Sequence, residues 1–360
     1  MTQSTYTREE LLAAHEQLVD NDCGTADDHL YTDGGTASPR ADGGSASDAS
    51  GISSGAKRTD GGSREPPVVV KVGGARAVDP AGAVADVAHL VANGREVVVV
   101  HGGSTAVDDT LEDLGEEPTY VETPSGVVGR FTDERAMEVF SMVMPGKLNT
   151  DLTATLRNAG VDAVGLSGVD GGLLSGKRKS AVRVVEDGKK KIKRGDHSGK
   201  IESVNAQLLE TLLGDGYTPV VTVPMLGEEQ DGSVTPVNAD ADRAAAAVAG
   251  ALGAELVVLT DVSGIYKNPD DETTLIDSAK TPEELKSVET AAEGFMTKKV
   301  MAAKEALTGG ASAVIVSDAN VNDPIVSALT GAGTRIEPGA LGENAPGLDS
   351  AGATLGGDSA

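Results

Sequence analysis

The sequence predicts an α/β protein, a three-layer αβα sandwich with a mostly parallel central sheet. Continuous β-branched runs alternate with amphipathic helical stretches, the pattern of βαβ units whose parallel strands are covered on both faces. Aromatic residues make up 2% of the 360-residue chain while Ala, Val, Leu, Ile and Gly abound, so the core is aliphatic and closely packed. Neither a Gly period nor sustained heptads occur, which excludes collagen-like and coiled-coil architectures.

The elements follow in order. Val68–Val72 is an unbroken β-branched run, read as a doubly buried strand. Residues 79–94 read as a capped helix: Pro80 follows Asp79 at its first position, Val84, Val87, Ala88 and Val91 share a face, and Gly94 ends it. Residues 97–100 form the next strand. The alternation returns with helices at 205–213, 241–252 and 298–307, and strands at 219–223, 256–259 and 313–316. Residues 182–185, a turn at 186–188 and residues 189–193 read as a β-hairpin projecting from the sheet.

The ends read differently. Between residues 24 and 65 the only large apolar side chains are Leu30, Tyr31 and Ile52 among Gly, Ser, Thr and Asp. Such a segment buries too little surface to offset its ordering entropy. Residues 1–65 are expected to be a disordered acidic Gly/Ser-rich extension, with one short helix around 9–19; a start assigned too early is the alternative. Residues 340–360 are expected to be a flexible tail, leaving one domain at 66–339. Deleting residues 1–60 should leave folding and activity unchanged, and a melting temperature many degrees lower in the truncated protein would overturn that expectation.

Composition narrows the function. No apolar run approaches the roughly 20 residues that span a bilayer. Arg8, Glu9, Glu10 and Glu16 stand where a signal peptide needs its apolar stretch, so a cytoplasmic protein is expected. The single cysteine, Cys23, has no partner for a disulfide or a thiolate metal site. A net charge of −26 repels nucleic acid and anionic membranes, and it suits the salt-rich cytoplasm of a halophile.

Two strands end in glycine pairs, Lys71-Val-Gly73-Gly74 and His101-Gly102-Gly103. Glycine there lets backbone N–H groups approach an anion, although a tight turn alone also explains it. Neither pair is a dinucleotide-binding or P-loop pattern. Lys71 lies inside an apolar strand, where burial is costly without an anionic partner. One stretch breaks the overall charge: residues 177–200 hold ten basic and three acidic side chains, +7 in a chain of −26. Like charges crowded on a hairpin destabilise it unless an anionic partner is met. No aromatic side chain is interleaved there for stacking bases, which argues against nucleic acid.

Val-Val-Lys71-Val-Gly-Gly, Val-His101-Gly-Gly, Gly129-Arg130-Phe-Thr-Asp133, Gly146-Lys-Leu-Asn149, Val-Gly165-Leu-Ser-Gly168-Val-Asp170-Gly, Asn238-Ala-Asp240-Ala-Asp242-Arg and Leu-Thr260-Asp261-Val-Ser-Gly264-Ile-Tyr266 stand in one order. Together they resemble the acetylglutamate kinases of the amino acid kinase family. Ser125-Gly126 ahead of Arg130, and the lysine-rich stretch after Asp170, resemble the branch acting on glutamate or 2-aminoadipate attached to the carrier protein LysW. The resemblance implies the amino acid kinase fold, with a substrate half at about 66–237 and a nucleotide half at about 238–339. It implies transfer of phosphate from ATP to a side-chain carboxylate, in arginine and, for aminoadipate, lysine biosynthesis.

Lys71 and Lys299 would be the two catalytic lysines, with Lys298 the neighbouring alternative, and Asp242 would orient them. Arg130 would hold the substrate's free carboxylate and Asn238, with Gly102 and Gly103, would bind substrate. Gly73, Gly74, Thr260, Asp261, Gly264 and Tyr266 would line the nucleotide site; Thr-Asp ending a strand is also ordinary turn chemistry. Asn238 and Asp240 also suit a helix cap. Asp240 departs from the acetylglutamate form, which has asparagine there, and this agrees with the carrier-linked branch. Lys189, Lys190, Lys191, Lys193 and Arg194 would dock the acidic carrier. No metal site is expected in the protein; Mg²⁺ would arrive with ATP. A homodimer is the family expectation. A kinase for free acetylglutamate is the near alternative, and a non-catalytic sensor is disfavoured by the retained Lys71, Asp242 and Lys299.

Overall fold

The structure is a computed structural model that describes residues 65–344 except 74–79, 125, 127, 187, 293 and 294. The expectations for residues 1–64 and 345–360, and for Gly74, Asp79, Ser125 and Asp187, lie outside the described residues. The described residues open with β1 (Val68–Val72), α1 (Pro80–Ala92), β2 (Val97–His101), α2 (Ser104–Asp113), β3 (Tyr120–Glu122) and β4 (Val128–Arg130). Next come α3 (Glu134–Ser141), a π-helical stretch (Met142–Leu148), α4 (Asn149–Asn158), β5 (Ala163–Gly168), β6 (Leu174–Glu186), β7 (Lys189–Gly199) and β8 (Ser203–Val204). The remainder is α5 (Ala206–Gly214), β9 (Thr218–Glu228), β10 (Val234–Val237), α6 (Ala241–Leu252), β11 (Glu255–Thr260), β12 (Ser278–Ala279), α7 (Pro282–Ala291), α8 (Phe295–Thr308), β13 (Ala313–Asp318), α9 (Pro324–Leu329) and β14 (Thr334–Ile336).

The mostly parallel sheet runs β12-β14-β13-β11-β1-β2-β9-β6-β7, with β5 and β10 also on β9 and β8 on β6. Every residue of β1 and β2 is buried, as their unbroken β-branched runs require. Because side chains alternate across a strand, the two faces carry separate cores. Val69, Val98, Val100 and Val258 pack with α6 and α8. Val68, Val70, Val99 and Val257 pack with α1, α4 and α9. Gly94 stands just beyond α1 with φ 83°, a backbone conformation that side-chain-bearing residues rarely adopt.

The sheet has antiparallel additions at its ends. β14 runs against β13, and β6 and β7 pair antiparallel from Arg178–Gly199 to Glu186–Lys189. The strands of this hairpin are longer than 182–185 and 189–193, because β6 is continuous with the sheet through its parallel pairing to β9. The expected boundary at 339 is also too early. A 3₁₀ segment, Pro338–Asn344, packs on α7 and α8 with Ala340 and Leu341 buried, and two core side chains tie this part down. No helix among the described residues is long and apolar enough to cross a membrane.

Asp86 of α1 is 3% exposed and accepts hydrogen bonds from the backbone N–H groups of Ile325 (2.6 Å) and Val326 (3.0 Å), satisfying the start of α9. Burial pushes its carboxyl above the ordinary value of 3.8. The folded state therefore holds this proton more tightly than the unfolded chain, so protonation as the pH falls through that raised value favours folding at this group. Asp86→Ala strands one buried and one part-buried donor and should cost about 2 kcal/mol in denaturant unfolding, whereas Asp86→Asn, which keeps an acceptor oxygen, should cost well under half of that.

Candidate active site

Lys71 is the fourth residue of β1, so it shares a face with Val69 and meets α6 and α8. A one-residue slip of register would turn it to the other core. Both helices are built of small residues along their contact: Ala244, Ala245, Ala249, Ala302, Ala303 and Ala306 are all buried, and a Cβ on Gly250 would lie 3.0 Å from Gly309. The close approach brings the amino-terminal halves of the two helices together, so that Lys299 of α8 reaches the start of α6. Asp242, in the first turn of α6, then receives Lys71 Nζ at 2.7 Å on Oδ1 and Lys299 Nζ at 3.5 Å on Oδ2. Lys298, one residue earlier, points its Nζ to the Val128 carbonyl at 2.9 Å, which leaves Lys299 as the lysine of this cluster.

Burial opposes the charge on Asp242, but Lys71 and Lys299 outweigh it and hold the carboxyl below its usual range. Burial and the neighbouring Lys71 charge push Lys299 below 10.5, more than Asp242 restores. Two ammonium groups thus share one carboxylate in a site whose side chains are no more than 15% exposed. The cluster carries a net positive charge that a bound anion would neutralise.

The carboxyl ends of β1, β2 and β11 are adjacent, with Lys71 opposite Val100 and Val258. Ligands of open α/β sheets bind at this end. Here β2 ends in His101, whose ring faces the second core. His101 Nδ1 lies 3.0 Å from the Gly102 carbonyl, and Asn149 Nδ2 lies 3.1 Å from Nε2 and 2.8 Å from the Val220 carbonyl. Burial lowers the pKa of His101. The neutral ring with its proton on Nδ1 satisfies all of these contacts. Gly103 caps α2 where a Cβ would meet the ends of the Leu148 and Met144 side chains, so a larger residue there would have to displace both.

Thr260 and Asp261 stand at the end of β11, Thr260 buried and donating to Asp261 Oδ1 at 3.1 Å. Gly264 packs where a Cβ would lie 2.7 Å from Thr334 Oγ1, and half-buried Tyr266 bridges to Leu275. Gly73 follows β1 and is half-buried. A separate cavity of about 710 Å³ lies at the amino-terminal edge of the same strands, where Glu255 joins Arg95 (2.7 Å) and Arg335 (2.8 Å), away from the lysine cluster.

Arg130 ends β4. Its Nη1 meets Asp108 Oδ1 at 2.6 Å, its Nη2 donates to the Ser104 carbonyl at 2.9 Å, and its guanidinium lies 5.4 Å from the Tyr120 ring centre. Tyr120 donates in turn to Asp108 Oδ2 at 2.8 Å. Two residues on, Thr132 Oγ1 accepts from Asn238 Nδ2 at 2.9 Å, so the Arg130 segment and the segment preceding α6 meet. Asp240 caps α6 by accepting from the Arg243 N–H at 3.0 Å.

The structure divides the basic hairpin by face. Lys191 pairs with Glu186 at 2.9 Å, and Lys193 sits 4.2 Å over the Phe131 ring. Ala181, Arg183 and Val185 lie opposite Arg194, Ile192 and Lys190 on the other face, where Ile192 is 64% exposed. Lys189 is exposed beside the turn. Sequence reasoning missed Asp108, Tyr120, Thr132 and Asn149 as parts of the site. Asn149 and Thr132 lay inside recognised motifs, but Asp108 sits on an ordinary acidic helix with no local signal.

A model of the amino acid kinase family matches residues 66–317. The chain belongs to the amino acid kinase family. This family member is 44% identical over 270 residues to the [LysW]-aminoadipate kinase of Deinococcus radiodurans, covering 75% of this chain and 91% of that one. It is 40% identical over 253 residues to the acetylglutamate kinase of Methanopyrus kandleri, covering 69% and 94%. Among solved structures it is similar to the N-acetylglutamate synthase of Neisseria gonorrhoeae in complex with coenzyme A and N-acetyl-glutamate, with a TM-score of 0.58 and 25% identity. That alignment covers 76% of this chain and 60% of the synthase. The kinase is an ATP-dependent phosphotransferase with a carboxyl group as acceptor.

Proposed function

We propose that this kinase phosphorylates the side-chain carboxylate of glutamate or 2-aminoadipate carried on an acidic amino-group carrier protein, LysW. The observation that carries the chemistry is the buried pair of lysines on Asp242. An acceptor carboxylate with a reference pKa of about 4.3 is already ionised at neutral pH and needs no general base. What remains is alignment and neutralisation of charge on the transferring phosphoryl group. Lys71 and Lys299 supply the charge, and Asp242 keeps both ammonium groups at fixed positions. Arg130, preorganised by Asp108, offers a planar donor to the acceptor's free carboxylate, and Asn238 a polar contact beside it. Gly73, Gly102 and Gly103 would line the phosphates, with Thr260, Asp261, Gly264 and Tyr266 toward the nucleotide. Both Asp242 oxygens face lysines, and no group of three or more His, Cys, Asp or Glu among the described residues could hold a metal. Mg²⁺ fits as a partner of the ATP phosphates.

The carrier is supported by the concentrated charge of the hairpin in a chain of net −26. Blocking the amine on a carrier also prevents a glutamyl phosphate from cyclising onto its own amino group. The similarity to an acetylglutamate kinase favours a second reading, a free acetylated acceptor. A coupled ADP assay with carrier-linked glutamate, carrier-linked aminoadipate and free N-acetylglutamate separates the two. Carrier-linked acceptors should have a kcat/KM higher by about a hundredfold, from steering and added contact. Equal or better use of N-acetylglutamate would overturn the carrier reading. A homodimer completes this proposal, and light scattering at the mass of one chain would remove it.

A further inference from the structure

The hairpin and the acceptor corner are joined through a residue that neither motif nor charge pattern singled out. Asp196 lies near the end of β7 and is fully buried. Its Oδ1 accepts from the Thr132 N–H at 3.2 Å, and its Oδ2 accepts from the Ser198 hydroxyl. Arg178 of β6 holds the Asp196 carbonyl through Nε (3.3 Å) and Nη2 (3.2 Å) while pairing with Glu229. Around this side chain β7 is stitched to both substrate segments: His197 N–H donates to the Thr132 carbonyl (2.7 Å), Asn238 N–H to the His197 carbonyl (2.8 Å) and Gly199 N–H to the Asn238 carbonyl (2.9 Å). The amide of Asn238 then closes the circuit on Thr132.

We propose that Asp196 is a positioning residue that fixes Thr132 and Asn238 against the base of the hairpin, so that the acceptor pocket and the hairpin form one rigid unit. The reasoning is geometric. A buried carboxylate is costly unless its lone pairs are used. Here they are used on the backbone between Arg130 and α3. Without it the Thr132 N–H and the Ser198 hydroxyl lose their partner, and Asn238 loses a fixed neighbour. Among the described residues the hydrogen bonds of the Asp196 carboxylate run to Thr132 and Ser198, not to Lys71, Asp242 or Lys299, so the ATP side is expected to be independent of it. This inference rests on the reading that Arg130 and Asn238 receive the acceptor.

The test compares Asp196→Ala and Asp196→Asn in the full-length protein, with KM for the acceptor, KM for ATP and kcat measured for whichever of the carrier-linked or acetylated acceptors the parent uses. Asparagine keeps an oxygen for the Thr132 N–H, and its amide donates to Ser198, whose hydroxyl turns to accept. Asp196→Ala should raise the acceptor KM by about tenfold or more with the ATP KM within about twofold, and Asp196→Asn should stay within about threefold of the parent. If Asp196→Ala does not fold, Ser198→Ala reads the same coupling, with a smaller rise confined to the acceptor. An unchanged acceptor KM in a folded variant, or equal rises for ATP and acceptor, would overturn the role of Asp196. Absence of turnover by the parent with every acceptor would instead remove the kinase reading beneath it.

Discussion

Lys71→Ala and Lys299→Ala should each lower kcat by roughly a hundredfold or more while shifting the melting temperature by only a few degrees. Each removes a cation whose partner in the resting protein, Asp242, is still held by the other lysine, so the fold keeps a balanced pair. The charge is needed most when negative charge spreads over the transferring phosphoryl group, so kcat falls more than KM for the acceptor. Near-parental turnover in Lys299→Ala would end the role assigned to that lysine, and Lys298→Ala, whose side chain reaches the Val128 carbonyl, serves as the control. The same cluster sets a pH dependence. Burial and Lys71 lower the pKa of Lys299, so its charge is lost as pH rises through a value below the ordinary 10.5, and the alkaline limb of kcat should fall below that of an unperturbed lysine. Asp242 behaves in the opposite sense. Its lowered pKa makes its contribution to stability complete above the unfolded value of 3.8 and lost only as pH falls through the lower folded value.

Replacing Lys189, Lys190, Lys191, Lys193 and Arg194 with Ser or Gln should raise KM for a carrier-linked acceptor by about tenfold in dilute buffer while sparing kcat at saturation. The groups meet the carrier's surface and not the phosphoryl group, so they contribute alike in ground and transition states. The effect should shrink with salt, because a Debye length of about 3 Å at 1 M leaves only near-contact pairs. The faces of the hairpin refine this. Lys190 and Arg194, on the open face with Arg183 and Ile192, should account for most of the loss. Lys191, already paired with Glu186, and Lys193, lying over Phe131, should account for little steering of their own. Equal KM values for variant and parent at every salt concentration at which the protein folds would sink the docking role.

The sheet was legible because its central strands announce themselves. β1 and β2 are buried on both faces, so their composition alone excludes solvent. The short strands β3, β4, β12 and β14 are two or three residues long and escaped notice, since so few residues carry no period. The helices from α3 through α4 escaped as well, although α3 has a capping aspartate, Asp133, because the π-helical stretch between them holds Pro145 and Gly146, residues of low helix propensity.

In the site, Lys71 could be read as unusual from its neighbours in sequence, because an ammonium group within an apolar run demands an anion wherever the strand goes. The sequence by itself determined the alternation of strands and helices, the glycine ends of β1 and β2, and the concentration of positive charge on one hairpin. Each is written within a few consecutive residues, where backbone propensity, side-chain alternation and charge act locally. Tertiary structure alone decided that Lys299 and not Lys298 meets Asp242, that Arg130 is held by Asp108, that the hairpin's lysines divide between two faces, and that Asp196 at the base of the hairpin meets Thr132. These contacts join segments far apart in the chain. They depend on helix separation, strand register and rotamer, which are set when the apolar faces of separate segments pack and are encoded in no single stretch.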